Sequence, residues 1–246
     1  MPRFFVDKDQ IDGSSLRITG DDARHIARSL RMAVGDEVTV SDKAGTDYHC
    51  SLERIRDDEV ICNIIYNEES SAESPINITL YMAYPKADKL ETVIQKAVEL
   101  GASEIVPFES QRCIKRPGAE RAEKIRDRQT RIAEEAAKQC GRSILPTVAA
   151  VMSFKDVLEY ARKDDLLLFC YEGAGAQSLR SVLAECRSAR SIGVFVGSEG
   201  GFAPEEAESA REAGARIVNL GPRILRCETA PMYVLSSISY EFELKK

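Results

Sequence analysis

The sequence predicts an α/β protein: a small β-rich domain followed by a larger domain on a mostly parallel sheet. Three observations carry this. From residue 76 onward, short apolar runs alternate with amphipathic stretches, the pattern of parallel strands joined by helical crossovers. Before residue 67 the runs are brief, β-prone and divided by turn residues, which suits a small barrel. Between them, residues 67–75 are polar, serine-rich and end in Pro75, as linkers do. The domains are therefore set at 1–72 and 73–246, with the boundary near Glu73.

In the first domain, strands are expected at 4–6, 15–18, 37–40, 48–52 and 60–65. Asp12-Gly13, Thr19-Gly20, Gly35-Asp36, Ala44-Gly45 and Asp57-Asp58 mark the turns. One helix, 21–31, opens with Asp21 and Asp22, as the positive end of a helix dipole favours. Ile26 and Leu30 are four apart and are expected to face the core, while Arg24, Arg28 and Arg31 line another face. Residues 1–71 hold nine Lys/Arg against fifteen Asp/Glu, so this arginine stripe stands out from an acidic domain. It reads either as a solvated face neutralised by nearby acids or as a ridge that tracks phosphates, with Arg3 joining from the first strand.

In the second domain, strands are expected at 76–83, 104–108, 147–151, 166–170, 192–196 and 215–219. Helices are expected at 88–101, 118–141, 154–162, 178–186, 204–213 and 229–243. Leu90, Val93, Ile94, Ala97 and Leu100 form one apolar stripe, and Gly101 and Gly141 stop their helices. Pro204 sits at a first helical position, where its missing N–H costs nothing.

Composition narrows the classes. Of 246 residues, 43% are hydrophobic and 30% charged, which argues for a folded core and against disorder. The longest apolar run, 166–171, is too short to span a bilayer. The N-terminus has no apolar h-region, so the expected location is the cytoplasm. Seven cysteines without a C-x-x-C pair, and only two histidines, give little support to zinc or disulfides. No metal is expected. The net charge of −6 does not exclude nucleic acid, because binding depends on local patches.

The chemistry concentrates near the end. Gly197, Ser198, Glu199, Gly200 and Gly201 follow a strand and precede a helix, where glycines let a ligand approach backbone N–H groups. The loop is neither a P-loop nor G-x-G-x-x-G. Glu199 repels phosphate and suits a ligand with a cationic centre and a ribose. In the second loop, Leu220, Ile224 and Leu225 are suited to sandwich an apolar ring beside Gly221, and Arg223 and Arg226 to hold phosphate. Glu228 and Thr229 read equally as site residues or as a helix cap. Tyr171-Glu172-Gly173-Ala174-Gly175 reads as an ordinary turn or as a weak G-x-G dinucleotide signal, which keeps a dehydrogenase in view. Residue types and spacing alone reach an α/β enzyme with a nucleotide-like ligand.

These motifs resemble a known family. Gly197-Ser-Glu-Gly-Gly-Phe202 with Leu220-Gly-Pro-Arg-Ile-Leu-Arg-Cys-Glu-Thr-Ala230 is similar to the C-terminal signature of the RsmE family. These are 16S rRNA uridine-N3 methyltransferases of the SPOUT, or trefoil-knot, superfamily. His25-Ile-Ala-Arg-Ser-Leu-Arg31, Pro85-Lys86, Gln95-Lys-Ala-Val-Glu-Leu-Gly101 and Glu135-Ala-Ala-Lys-Gln-Cys-Gly-Arg142 match further family motifs in order. Ser198 and Cys227 depart from it, since the family usually has Pro and Thr there.

The resemblance implies a PUA-like N-terminal β-barrel, a knotted C-terminal α/β domain, a homodimer and S-adenosyl-L-methionine as methyl donor. It implies cofactor contacts from Tyr171, Glu172, Gly197, Ser198, Glu199, Gly200, Gly201, Leu220, Gly221, Ile224, Leu225, Arg226, Thr229 and Ala230. Arg226 and Glu228 are the expected catalytic residues. Arg3, Arg24, Arg28, Arg31, Lys86, Lys89 and Arg112 are the expected RNA contacts, with 16S rRNA or the small ribosomal subunit as substrate. Ribose 2′-O or guanine N1 methylation, or a non-enzymatic role in ribosome assembly, are the alternatives.

Overall fold

The computed structural model describes residues 1–114, 119–173 and 175–244. Gly118, expected to open the long helix, and Ala174, inside the G-x-G turn, lie outside the described residues. The chain forms two compact units, Met1–Glu73 with Ala137–Leu145, and Ser74–Ala136 with Pro146–Lys246.

In the first unit, β1 (Arg3–Phe5), β2 (Ile11–Asp12), β3 (Ser15–Thr19), β4 (Glu37–Ser41), β5 (Thr46–Ile55) and β6 (Glu59–Glu69) make one sheet. Its order is β1-β4-β5-β6-β3-β2. All neighbours are antiparallel except β1 and β4. Phe4, Leu16, Ile18, Val38, Val40, Leu52 and Val60 come from five strands yet share one buried core, so the sheet curls around it.

The helix departs from expectation. α1 covers Gly20–Arg24, and the chain then widens into a π-helical segment, His25–Leu30, closed by left-handed Arg31 (φ 52°). A π turn holds more residues than an α turn, so positions four apart no longer repeat one face. Ile26 is buried as expected, but Leu30 turns outward and is 40% exposed.

The segment Ala137–Leu145 joins this unit through polar anchors. Glu73 accepts hydrogen bonds from the Arg142 guanidinium (2.9 Å) and from the N–H groups of Ser143 and Ile144 (2.8 and 2.9 Å). Ser41 Oγ donates to the Ser143 carbonyl at 2.7 Å, and Lys138 pairs with Asp22 at 3.0 Å. Local sequence pattern holds no trace of such pairings, which is why a single cut at residue 73 was expected.

In the second unit, β7 (Asn77–Ala83), β8 (Glu104–Glu109), β9 (Thr147–Val148), β10 (Met152–Ser153), β11 (Leu166–Cys170), β12 (Gln177–Ser178), β13 (Ser191–Val196) and β14 (Arg216–Asn219) form one sheet, with every pairing parallel. The order is β10-β8-β7-β13-β11-β14-β12, with β9 also on β8. The expected strand 147–151 is cut to Thr147–Val148, Met152–Ser153 forms a separate short strand just beyond it, and β12 was not foreseen. The helices are α2 (Lys89–Glu99), α3 (Ala119–Cys140), α4 (Phe154–Tyr160), α5 (Leu179–Glu185), α6 (Pro204–Glu212) and α7 (Thr229–Phe242). On α2 the buried stripe ends with Val98, while Leu100 is only half-buried. No helix among the described residues is long and apolar enough to cross a membrane.

Aromatic packing fixes the site end of the sheet. Phe169 on β11 and Phe195 on β13 share a core with Phe108 and Tyr81. Phe202, directly after the glycine loop, inserts into it at 2% exposure, with its ring 4.1 Å from Phe169. A fully buried aromatic contributes about 1.5–3 kcal/mol, so Phe202 pins the loop that precedes it.

Candidate active site

β11, β13 and β14 are parallel neighbours, so the loops that follow them emerge at the same edge of the sheet. They enclose a cleft of about 690 Å³, within the range of small-molecule sites. Cys170 and Tyr171 come from the end of β11, Val196 through Phe202 from β13, and Val218 and Leu220 from β14. Ile224 to Glu228 and Ala230 complete the wall as the chain enters α7.

The glycines have specific reasons to be there. A Cβ on Gly197 would lie 3.1 Å from Gly201 Cα, and one on Gly200 would lie 3.0 Å from the Arg112 carbonyl oxygen. A Cβ on Gly173 would run into the Tyr171 ring, so that glycine lets the ring fold back over the loop. Gly201 has a left-handed φ of 64°, open to glycine without strain.

Three charged side chains meet at the cleft. Lys89 Nζ lies 3.0 Å from Glu199 Oε1 and 3.2 Å from Glu228 Oε2. The Lys86 backbone N–H also donates to Glu199, at 3.2 Å. Burial disfavours ionisation of Glu199, but backbone hydrogen bonding, the Lys89 ammonium and the Lys86 N–H outweigh it and hold the group below the usual carboxylate range. The Cys227 thiol donates to Glu228 at 3.2 Å, and with Lys89 it lowers Glu228 too. Burial pushes the Cys227 thiol itself up to about 12. Glu228 occupies the N-cap position of α7, and among the described residues its side chain makes no capping bond; its carboxylate lines the cleft.

Most of the residues named from the sequence converge here. Thr229 does not line the cleft; its N–H closes onto the Arg226 carbonyl at 2.8 Å. Gly221 lines a smaller adjoining hollow of about 280 Å³ with Arg223. Among the expected RNA contacts, Arg24 and Arg28 are exposed but paired, with Asp21 and with Asp57 at 2.5 Å. Arg31 and Lys86 are exposed. Arg112 lines the cleft and donates to the Gly200 carbonyl at 3.3 Å.

Two of the expected RNA contacts are engaged by acids. The Arg3 guanidinium forms a two-point bridge to buried Asp47 (2.5 and 2.9 Å) and touches Ser143. Lys89 is held between Glu199 and Glu228. Sequence reasoning missed Cys170, Gly173, Val196, Phe202 and Val218 as cleft residues. Their position at strand ends or beside the glycine loop was the available signal.

The lining suits a cationic, nucleoside-like ligand. Ser198 is buried, and among the described residues its Oγ has no hydrogen-bond partner, which leaves a donor and acceptor on the cleft wall. Glu172, Glu199 and Glu228 stand on the same wall as Lys89, Arg112 and Arg226, and the leucines add an apolar slot. Among the described residues, no cluster of three His, Cys, Asp or Glu has the arrangement of a metal site.

Comparison with known proteins agrees with this picture. Residues 72–239 match the model of an RNA methyltransferase domain, and residues 18–65 that of an RNA methyltransferase PUA domain. The chain is 36% identical over 251 residues to ribosomal RNA small subunit methyltransferase E of Bacillus subtilis, covering 99% of this chain and 98% of that protein. It is 30% identical to the protein of that name from Synechocystis, over 96% of this chain and 77% of that one. The crystal structure of the Neisseria gonorrhoeae enzyme bound to S-adenosyl methionine superposes with a TM-score of 0.87 at 29% identity, over 98% of both chains. A Legionella pneumophila methyltransferase structure with bound cofactor gives 0.86 at 28% identity, over 97% and 96%.

Proposed function

The chain belongs to the RNA methyltransferase family that includes ribosomal RNA small subunit methyltransferase E, and from that premise we propose that it methylates N3 of a specific uridine in 16S rRNA, with S-adenosyl-L-methionine as donor. The observation that carries this reading is the cleft itself, where a Ser198 hydroxyl without a partner among the described residues stands in a wall that also carries Glu199 and Glu228. When bound, S-adenosylmethionine supplies a methyl group activated by its sulfonium. Leu220 and Leu225 would flank its adenine, and Ser198 and the loop backbone would meet its polar edges. Glu199 and Glu228 would face its positive charge.

Uracil N3–H lies on the Watson–Crick edge, so the target base must be unpaired or flipped to enter the cleft. Glu228 stays ionised and accepts the N3 proton. Its lowered pKa makes it a weak base, so Arg226 shares the task by stabilising negative charge that develops on the uracil oxygens. Alignment of N3 with the methyl group supplies much of the rest, about 7–11 kcal/mol in favourable cases.

Arg24, Arg28, Arg31, Lys86 and Arg112 are the proposed RNA contacts. The acid partners of Arg24 and Arg28 are exposed, so a phosphate can replace them at little cost. Tyr233 and Tyr240 of α7 are 45% and 64% exposed, which favours a homodimer through that helix. The proposed location is the cytoplasm, with the small ribosomal subunit as partner.

Nucleoside mass spectrometry of 16S rRNA from a deletion strain tests the reading. The strain is expected to lack one N3-methyluridine that wild type restores and Gly200→Val does not, because the added side chain displaces the Arg112 backbone. Unchanged N3-methyluridine in the deletion strain contradicts it.

A further inference from the structure

Lys89 is the first residue of α2, just after Asp88 at the N-cap position. A cation there opposes the positive end of the helix dipole, so something else must favour its placement. Glu199 comes from the loop after β13 and Glu228 from the turn before α7, and both reach the same ammonium, at 3.0 and 3.2 Å. Two carboxylates that share a site raise each other's pKa unless a cation lies between them. All three side chains retain between 24% and 32% exposure, so the bridges contribute little to stability. Other groups that face the cluster are the Cys227 thiol, 3.9 Å from Lys89, the Lys86 N–H, Arg112 on Gly200, and Arg226 on the cleft wall.

We infer that Lys89 is a positioning residue that holds Glu199 and Glu228 together as an ionised pair facing one ligand. The inference rests on the reading of the cleft as the methyl-transfer site. Lys89 does not meet RNA phosphate, and it does not touch the reacting atoms. Its ammonium keeps two negative charges side by side at neutral pH, so that Glu199 can face the cationic donor while Glu228 remains free to accept a proton.

Carbon-13 carboxyl titration of Glu199 and Glu228, with glutamate labelled at its side-chain carboxyl, tests this without turnover. In Lys89→Met, one of the two carboxylates is expected to titrate about one pH unit or more higher than in wild type, and Lys89→Arg is expected to restore it. In kinetics, the acidic limb of kcat/KM moves up by the same amount in Lys89→Met and returns in Lys89→Arg, while the unfolding midpoint stays put. Identical titrations in wild type and Lys89→Met overturn the inference. So does a loss confined to the KM for RNA and uniform across pH, which would return Lys89 to the phosphate contacts. A wild-type protein that transfers no methyl group overturns the reading of function instead, and the titration still decides the role of Lys89.

Discussion

Asp164 places a carboxylate where water scarcely reaches. It is 8% exposed, the Tyr81 hydroxyl donates to its Oδ2 at 2.7 Å, and among the described residues its Oδ1 has no partner. Gly193 makes the room, since a Cβ there would lie 2.6 Å from Oδ2. Burial raises the Asp164 pKa, and the Tyr81 hydrogen bond only partly offsets this. A group whose folded pKa is raised stabilises the fold at low pH and loses that contribution as pH climbs through the folded value. Asp164→Asn removes the ionisation. Its stability relative to wild type is therefore expected to improve as pH rises above about 4, the ordinary carboxylate value, as read by urea unfolding. Parallel curves for the two proteins would show that Asp164 does not titrate abnormally.

Residues differ in how far the sequence discloses them. The glycines around Glu199 were legible because turn chemistry is local. The partners of Lys89 were not legible, because Glu199 and Glu228 lie far along the chain. The same holds for Arg3, whose partner Asp47 is brought to it by the pairing of β4 with β1 and β5.

Among the elements, α6 governs the glycine loop. Glu206, in its first turn, is buried and accepts from the Ala203 N–H (2.8 Å), the Gln111 N–H (2.9 Å) and the Ser110 hydroxyl (3.1 Å). It ties the chain after β8 to the start of α6, and so sets Arg112 against Gly200. Glu206→Ala would leave buried donors unpaired, at about 1–3 kcal/mol for each such group. A loss of about 2–4 kcal/mol in urea unfolding is expected, with weaker cofactor binding by calorimetry. A loss below about 0.5 kcal/mol, the usual range for surface substitutions, would mean the contact does not hold the loop.

Alternation of apolar runs and amphipathic stretches predicted the six helices of the larger unit and its long strands. It failed where the hydrogen-bond pattern changes without a change in residue types. The π segment His25–Leu30 and the short strands Thr147–Val148 and Met152–Ser153 are the examples.

At the scale of the molecule, Ala137–Leu145 is the least legible feature. Nothing in its composition says that Arg142 and Ser143 will meet Glu73, which reads as linker in sequence but accepts four hydrogen bonds in the structure. The two-part architecture was visible, because the texture changes at residue 76. The cofactor cleft was visible as two glycine-bearing loops. Their union at one sheet edge follows from the order β13-β11-β14, which the sequence does not spell out.

The central claim is methyl transfer to N3 of a uridine in small-subunit RNA. The purified protein should be incubated with S-adenosylmethionine carrying a labelled methyl group, using small ribosomal subunits in one arm and free 16S rRNA in the other. The labelled nucleoside is then identified by mass spectrometry. N3-methyluridine is expected as the labelled product in at least one arm. Label in a 2′-O-methylated nucleoside or in 1-methylguanosine, or no transfer in either arm, would contradict it.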